Sequence, residues 1–147
     1  MISEPLTWSV HDVPSPSDAF IVDAGLEASN LAAAPLFDVQ PLACFAYSPS
    51  GSVVAGALGR TWGACCELQQ LWVEPALRRN GIASRLVRLF EERATARGCR
   101  IYYLETFSFQ SPAFYRILGY EPSLELRGFP CGIVKYVMTK TIGAAVA

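Results

Sequence analysis

The chain has 147 residues, a formal net charge of -1, and 52% hydrophobic and 17% charged residues. This composition excludes an intrinsically disordered chain, and the near-neutral charge argues against a general nucleic-acid binder. The length predicts one domain over residues 1–142, with a flexible tail over residues 143–147. Because no apolar run approaches the ~20 residues of a membrane span and no secretory signal pattern is present, we expect a cytoplasmic protein that contacts neither membrane nor nucleic acid.

The first half of the chain predicts a strand, a helix and three further strands. "PLTWSV" at residues 5–10 indicates a short strand. "SPSDAFIVDAGLEASNLAAA" then indicates a helix with Ser15 or Ser17 as its cap and Pro35 at its end. Three β-rich runs follow between residues 41 and 73, separated by "SPSG" and "TWG", and these predict an antiparallel meander.

The second half begins with a helix, predicted over Asn80 to Arg97 and stopped by Gly98, with an apolar stripe at i, i+4 and i+8. "CRIYYLETF" predicts a buried strand, "SPAFYRIL" a short helix capped by Ser111, and "GYEPSLELRGF" and "IVKYVMTK" a final strand pair. The order β-α-β-β-β-α-β-α-β-β predicts an α/β fold in which helices flank a mixed, mostly antiparallel central sheet.

The cysteines and the single histidine offer little catalytic or metal chemistry. An odd cysteine count without metal-like spacing predicts reduced, buried thiols and no metal site. The five are Cys44, Cys65, Cys66, Cys99 and Cys131. His11 lies in a polar turn near the N-terminus, which argues against a serine or cysteine nucleophile with a histidine base.

The stretch "VEPALRRNGIASRLV", residues 73–87, places arginines around a helix start. Acidic side chains would stabilise that end of a helix, so Arg78, Arg79, Arg85 and Arg88 have the wrong sign unless an external anion binds there. Gly81 would let the backbone approach such an anion closely. The alternative is that the arginines only solvate an exposed loop. Neither GxxxxGK[ST] nor GxGxxG occurs in the chain.

These residues resemble a known family. Residues 78–83, "RRNGIA", match the Q/R-x-x-G-x-G/A signature of the GCN5-related N-acetyltransferases (GNAT), and they follow the strand end "LWVEP". Residues 108–122, "SFQSPAFYRILGYEP", are similar to the family's second signature, a short helix ending in F-Y-x-x-x-G-Y/F. With the order of elements, the resemblance extends from Leu6 to Lys140.

The resemblance implies acetyl-CoA as co-substrate, with no metal. In the family, backbone amides at the helix start hold the pyrophosphate. The corresponding residues here are Arg78, Arg79, Asn80, Gly81, Ile82, Ala83 and Ser84. The pantetheine arm would lie between the third meander strand and "IYYLETF", along the main chain of Leu71, Trp72 and Val73. One of those N–H groups would polarise the thioester carbonyl as negative charge develops on its oxygen.

The resemblance also suggests the proton donors and acceptors. Tyr115 matches the family's tyrosine and would protonate the departing thiolate, since a phenol with a reference pKa of ~10 is protonated at neutral pH. Its alternative role is core packing. Glu67 is the candidate base, acting directly or through water, and is alternatively a structural strand residue. Glu105 is a second candidate for the base.

Two positions depart from the family pattern. Ser108 and Ser111 stand where many relatives have the asparagine and alanine of N-x-x-A-x-x-F-Y. A hydroxyl at either position can still contact the pantetheine arm or the thiol, so we include both among the predicted cofactor-binding residues.

The resulting expectation is an N-acetyltransferase that moves an acetyl group directly from acetyl-CoA to a primary amine of a small molecule or peptide. The first helix, residues 30–38 and the strands around residues 124–134 would form the acceptor pocket. The alternatives are a non-catalytic acyl-CoA sensor or interaction module, and a transferase that uses another acyl-CoA. The final strands, "LELRGF" and "GIVKYVM", predict a homodimer because both carry apolar surface for a second copy.

Overall fold

The computed structural model describes residues 4–143, in which three helices and six strands alternate along the chain. In chain order these are α1 (Pro16–Ala33), β1 (Gln40–Tyr47), β2 (Val53–Trp62), β3 (Cys65–Val73), α2 (Ile82–Ala96), β4 (Ile101–Phe107), α3 (Pro112–Ile117), β5 (Glu121–Leu126) and β6 (Lys135–Thr141). The chain divides into two compact units, one ending at Leu36 and the other starting at Phe37. The predicted tail lies, apart from Gly143, outside the described residues.

The first unit contains α1, which begins after Ser15, one of the two predicted cap residues, and has Pro16 at its first position. The prediction of a strand over residues 5–10 was wrong, because these described residues have no strand partner. The side chains of Trp8 and Val10 are 86% and 99% exposed, so the alternating pattern buries nothing. Alternation alone cannot supply the neighbouring strand whose hydrogen bonds stabilise a β conformation.

The second unit is built on a six-stranded sheet in the order β1-β2-β3-β4-β6-β5. β3 and β4 run parallel, and the other four neighbouring pairs are antiparallel. This confirms the predicted α/β fold with a mixed, mostly antiparallel sheet. Parallel neighbours require a crossover, and α2 is the crossover between β3 and β4.

The hydrophobic core lies between α2 and the sheet. Leu86, Val87 and Phe90 of α2 are at most 3% exposed, which confirms the predicted apolar stripe. They face Ala55 and Ala57 of β2, whose small side chains are fully buried and let the helix approach the sheet. Burying each large side chain contributes about 1.5–3 kcal/mol to stability, so this face fixes α2 on the sheet.

The thiols differ in part from the prediction that they are all buried. All five cysteines are free thiols, but only Cys66 and Cys99 are buried, while Cys65 and Cys131 are exposed at a strand end and in a short turn.

Of the two final strands, β6 lies inside the sheet between β4 and β5, so it is not an open edge. β5 forms the edge of the sheet on this side, and its proline and two glutamates are features that discourage pairing with another strand. The homodimer stays a prediction.

Within residues 4–143, no helix combines the length and apolar character needed to cross a membrane. The same residues contain no group of three or more histidine, cysteine, aspartate or glutamate side chains arranged to hold a metal ion.

Candidate active site

A cleft opens where β3 and β4 separate. The two strands pair from Cys65 with Ile101 to Leu68 with Leu104, and their pairing stops there. On its other side β3 continues to pair with β2, with a register shift that leaves Gln69 without a partner in the described sheet. Such a bulge bends a strand and increases its twist. The β4-facing main chain after Leu68 is therefore available to a ligand.

Gly59 of β2 makes this bulge possible. A Cβ atom there would lie 1.9 Å from the main-chain oxygen of Glu67 and 2.8 Å from Cζ of Phe90. Both distances are shorter than non-bonded atoms tolerate, and one of the obstacles is backbone. Only glycine fits at this position, and it holds the bulge against the helix below it.

The cleft contains a cavity of about 750 Å³, which we call the main cleft. Its lining residues come from β3, the turn before α2, the start of α2, β4 and α3. They are Leu68, Gln69, Gln70, Leu71, Trp72, Val73, Arg78, Arg79, Ala83, Glu105, Thr106, Phe109, Gln110, Ser111, Phe114 and Tyr115. A second cavity of about 350 Å³, the turn cavity, shares Val73, Arg78, Arg79, Ala83 and Phe114 with it.

The turn before α2 is shaped to present main-chain amides. Arg79 and Gly81 have φ angles of 66° and 75°, in the left-handed region. The Asn80 side chain donates hydrogen bonds to the main-chain oxygens of Leu77 at 3.0 Å and Arg78 at 3.2 Å, which stabilise the turn from inside. The first α2 residue that bonds back along the helix is Arg85, to Gly81 at 3.1 Å. The preceding amides are the unpaired donors of a helix N-terminus, where anions bind.

The predicted pyrophosphate residues divide into two groups. Gly81, Ile82, Ala83 and Ser84 line the turn cavity, together with Arg78 and Arg79. The Asn80 side chain is turned into the loop instead. Arg85 and Arg88 are exposed on α2 and are not among the described residues that line either cavity. The structure therefore places two of the four arginines at the candidate anion site.

Leu71, Trp72 and Val73 all line the main cleft, as the predicted pantetheine site requires. In an antiparallel pair alternate residues direct their N–H and C=O groups away from the partner strand, so part of this main chain faces the gap toward β4. The Val73 main-chain oxygen already accepts a 3.0 Å hydrogen bond from Nε of Arg78. This bond connects the end of β3 to the turn before α2.

Tyr115 lies on α3 and lines the main cleft. Its ring packs edge-on against Phe114 and Tyr120, with centroid distances of 5.1 and 6.0 Å. Burial raises the pKa of its phenol to about 12, so the hydroxyl is protonated at neutral pH and can act as an acid. The structure thus satisfies both interpretations of this tyrosine, packing and proton donation.

The two serines of the second motif have different positions. Ser111 precedes α3 and lines the main cleft. Ser108 exchanges two hydrogen bonds with Val134: its N–H donates to the Val134 oxygen at 2.8 Å, and its hydroxyl accepts from the Val134 N–H at 3.0 Å. Ser108 therefore joins the end of β4 to the segment before β6 and is not among the described residues lining the main cleft.

A part-buried polar network lies behind Tyr115, and the sequence did not indicate it. The Tyr120 hydroxyl donates to Oε2 of Glu91 at 2.7 Å, and Lys140 Nζ donates to the other carboxylate oxygen at 2.8 Å. Tyr120 is 1% exposed, and its main-chain N–H also bonds to the Tyr115 oxygen at 3.0 Å. This network holds the Tyr120 ring in place, and that ring packs against Tyr115. Glu91 is 29 residues from Tyr120 and 49 residues from Lys140 in the chain, so no local pattern indicates this network.

Glu67 and Glu105, the two candidate bases, both line a third cavity of about 400 Å³, which we call the polar cavity. Glu67 accepts a 3.1 Å hydrogen bond from Arg60, and Glu105 forms a 3.0 Å ion pair with Lys135. Glu105 also lines the main cleft, whereas Glu67 lines only the polar cavity. The polar cavity shares Leu68, Gln69, Glu105, Thr106 and Gln110 with the main cleft. Glu105 therefore lies where the two cavities join, and Glu67 lies on the polar-cavity side of that junction.

Gln110 was another residue that the sequence did not single out. Its side-chain oxygen accepts hydrogen bonds from the Phe107 N–H at 2.8 Å and the Thr106 hydroxyl at 3.3 Å. It thereby orders the turn between β4 and α3, at the junction of the two cavities. The sequence feature that could have indicated Gln110 is its position in the loop after a buried strand, where functional residues are often found.

Comparison with known proteins agrees with this architecture. A sequence model of the Acetyltransferase (GNAT) family matches residues 9–120. The chain is 30% identical over 146 residues to the Blasticidin-S acetyltransferase of Streptomyces morookaense, and the match covers 97% of this chain and 100% of that protein.

Solved structures show the same fold. An acetyltransferase from Bacillus cereus superposes with a TM-score of 0.76 at 21% identity, covering 91% of this chain and 98% of that one. A Bacillus anthracis structure solved in complex with acetyl coenzyme A superposes with a TM-score of 0.62 at 14% identity, covering 71% and 64%. The sequence model that matches most of the chain and the relative that matches nearly all of it show that this chain belongs to the GNAT acetyltransferase family.

Proposed function

We propose that this acetyltransferase moves an acetyl group from acetyl-CoA directly to a primary amine. One observation carries the proposal: the turn cavity shares lining residues with the main cleft, and the main cleft with the polar cavity, so the three adjoin in series and we interpret them as one path. An anion-binding turn lies at one end of this path, and two carboxylates lie at the other. A donor bound from the first end and an amine bound from the second would meet beside Tyr115 and Glu105.

The donor end fits acetyl-CoA. The pyrophosphate would bind the amides of residues 81–84 with the charges of Arg78 and Arg79, and the pantetheine arm would lie along residues 71–73. Acetyl coenzyme A in the related Bacillus anthracis structure supports this donor. Transfer of another acyl group would need the same turn and differ only at the acyl end.

The chemistry uses groups along the path. The neutral amine attacks the thioester carbonyl, a carbon–nitrogen bond forms and the carbon–sulfur bond breaks. The thiolate takes the Tyr115 hydroxyl proton, which solvent then replaces. The amine proton passes to Glu67 or Glu105, directly or through water. An N–H from residues 71–73 stabilises the developing oxyanion.

A small-molecule acceptor is favoured by the relative from Streptomyces morookaense, which is named for its action on blasticidin S. That compound is therefore one amine to test. Other small amines and a peptide amine complete a panel, since the fold itself does not restrict the acceptor.

The test measures CoA thiol release from acetyl-CoA with each amine, and mass spectrometry of the acetylated product. Amine-dependent release supports the proposal. Acetyl-CoA binding without turnover on any amine would favour an acyl-CoA sensor, and faster release from propionyl- or succinyl-CoA would favour another donor. Glu67→Gln and Glu105→Gln, compared with the parent, identify the base as the glutamate whose loss lowers kcat about 10²-fold or more.

A further inference from the structure

The polar cavity has an unusual charge arrangement for a site that takes an amine. One wall, on β2 and β3, carries Arg60 and Glu67, and the other, on β4 and β6, carries Lys135 and Glu105. Each wall thus contributes one cation and one carboxylate, already paired at 3.1 and 3.0 Å. A site built only for a cationic amine would carry the carboxylates without the two cations.

The strand register places these charges on the sheet face opposite α2. Cys66, Leu68 and Leu104 are buried in the same core cluster as Leu86, Val87 and Phe90 of α2. Since side chains alternate along a strand, Glu67 and Glu105 lie on the other face. Arg60 pairs directly with Glu67 in the β2–β3 register, and Lys135 lies opposite Phe107 in the β4–β6 register. The two ion pairs are therefore separate, one on each side of the split between β3 and β4.

Both ion pairs can exchange partners with a ligand. The side chains of Arg60 and Glu105 are 52% and 58% exposed, so each pair has one solvated member. Ion pairs of this kind are worth about 0–1 kcal/mol, so replacing one partner costs little. A simple ammonium ion would displace a cation and leave it unpaired. A molecule with both charges would satisfy the carboxylate and the displaced cation together.

We infer that the acceptor amine also carries an anionic group, a carboxylate or its equivalent, and that Lys135 binds this group while the amine lies at Glu105. This rests on the proposed N-acetyl transfer. Lys135 is held in place by its Nζ lying 5.6 Å from the centre of the Phe107 ring. Phe107 packs against Phe109 and Phe129 at 5.4 and 5.5 Å, and these rings offer an apolar surface to the body of the acceptor.

The experiment compares matched amines that differ only at the anion. The probes are 4-(aminomethyl)benzoate with 4-(aminomethyl)benzamide, and 4-aminobutanoate with 4-aminobutanamide. Each is titrated calorimetrically into the protein with excess CoA, which cannot donate an acetyl group, so binding is measured without transfer. We expect each acid to bind about tenfold more tightly than its amide, because charge-assisted hydrogen bonds are stronger than neutral ones.

Two variants locate the effect. Lys135→Met should reduce the acid-to-amide ratio to less than about threefold. Arg127→Met is the matched control, because Arg127 also pairs with a glutamate at 3.1 Å but lies outside the polar cavity. It should preserve the parent ratio.

Equal binding of acid and amide, preference for the amide, binding of neither, or an unchanged ratio in Lys135→Met would overturn the inference. Thiol release with acetyl-CoA then tests the chemistry separately. Acid-selective binding without acetylation would refute the proposed transfer and leave the charge selectivity established. Acetylation at equal rates for acid and amide would support the proposed transfer and refute the charge selectivity.

Discussion

Leu68 and Leu104 form the last residue pair that joins β3 to β4, and both are almost fully buried. They close the base of the main cleft, because the strands diverge immediately beyond them. The site therefore forms where a parallel pair ends inside an otherwise antiparallel sheet, and both of its walls are held by their outer neighbours β2 and β6. A ligand in this cleft would lie between strands that are already paired without it, which would reduce the ordering cost of binding.

Gly59→Ala should damage the fold at this point. The added Cβ would meet the Glu67 main-chain oxygen, which cannot rotate away, so β2 and β3 must move apart. We expect a loss of about 3 kcal/mol in unfolding free energy, the upper range for overpacking. Urea unfolding followed by circular dichroism measures it.

Gly56→Ala is the control on the same strand. Its Cβ would approach Cδ1 of Phe45 at 3.0 Å, but that ring is an exposed side chain and can shift. The expected loss is below about 1 kcal/mol. Equal losses in the two variants would show that the bulge does not depend on Gly59.

Gly81→Val should abolish stabilisation by acetyl-CoA. Gly81 has a φ of 75°, where a β-branched residue costs about 1–2 kcal/mol, and it lines the turn cavity in which the pyrophosphate is proposed to bind. The parent should gain about 2.7 kcal/mol at a hundredfold excess of acetyl-CoA over Kd. Thermal melts with and without acetyl-CoA measure both.

Gly51→Val supplies the matched control. Gly51 lies in the β1–β2 turn with a φ of 89°, and, as at Gly81, no described atom beyond the adjacent residues lies within 4 Å of the position that an added Cβ would take. It should cost similar stability while leaving the acetyl-CoA shift intact. If both variants keep the full shift, the turn before α2 is not the pyrophosphate site.

The sequence allowed much of this architecture to be predicted because the strongest signals are local. The stripe of Leu86 and Phe90 defines α2, and the glycine and arginines before it mark the turn that lines the turn cavity. Tyr115 could be placed in the cleft because its motif lies on one short helix next to it. The strand predicted at residues 5–10 failed, since pairing depends on a partner that the local pattern does not specify.

What the sequence could not provide were contacts between distant residues. The Glu91–Lys140 ion pair and the Ser108–Val134 hydrogen bonds connect positions 49 and 26 residues apart. Ser108 illustrates the consequence: motif alignment placed it with the cofactor contacts, but its hydroxyl is used to join two strands. Likewise, the two ion pairs of the polar cavity can be recognised only in the folded sheet, because their residues come from β2, β3, β4 and β6.

The protein should lose stability steeply above about pH 9. Burial raises the pKa of the Cys66 thiol from 9.0 to about 12, and raises those of Tyr102 and Tyr120 as well. In the unfolded chain these groups ionise at lower pH. Their contribution to the free energy of unfolding is therefore complete below the pKa of the unfolded chain, and it is lost as pH rises toward the pKa of the folded protein. Each contributes a slope of about 1.4 kcal/mol per pH unit within its interval.

Urea titrations between pH 8 and 11 test this dependence. Cys66→Ala should be less stable at pH 8 because it leaves a small cavity, but its stability should fall less steeply above pH 9. A parent stability that stays constant to pH 11 would contradict the burial of these groups in the native state.

Tyr115→Phe should separate catalysis from packing. If the hydroxyl protonates the departing thiolate, its removal should lower kcat by about 10²–10⁴-fold. The Kd for acetyl-CoA should hardly change, because the proposed pyrophosphate and pantetheine contacts lie on the α2 turn and β3. Phenylalanine preserves the ring that packs against Phe114 and Tyr120, so the fold and its melting temperature should be retained.

The measurement needs single-turnover kinetics with an amine acceptor, so that the chemical step is observed and product release is not. Tyr47→Phe is the control, because Tyr47 is 61% exposed at the end of β1 and lies outside the three described cavities. It should leave kcat unchanged. If Tyr115→Phe transfers the acetyl group within about threefold of the parent, the tyrosine serves packing alone, and the thiolate takes its proton from water.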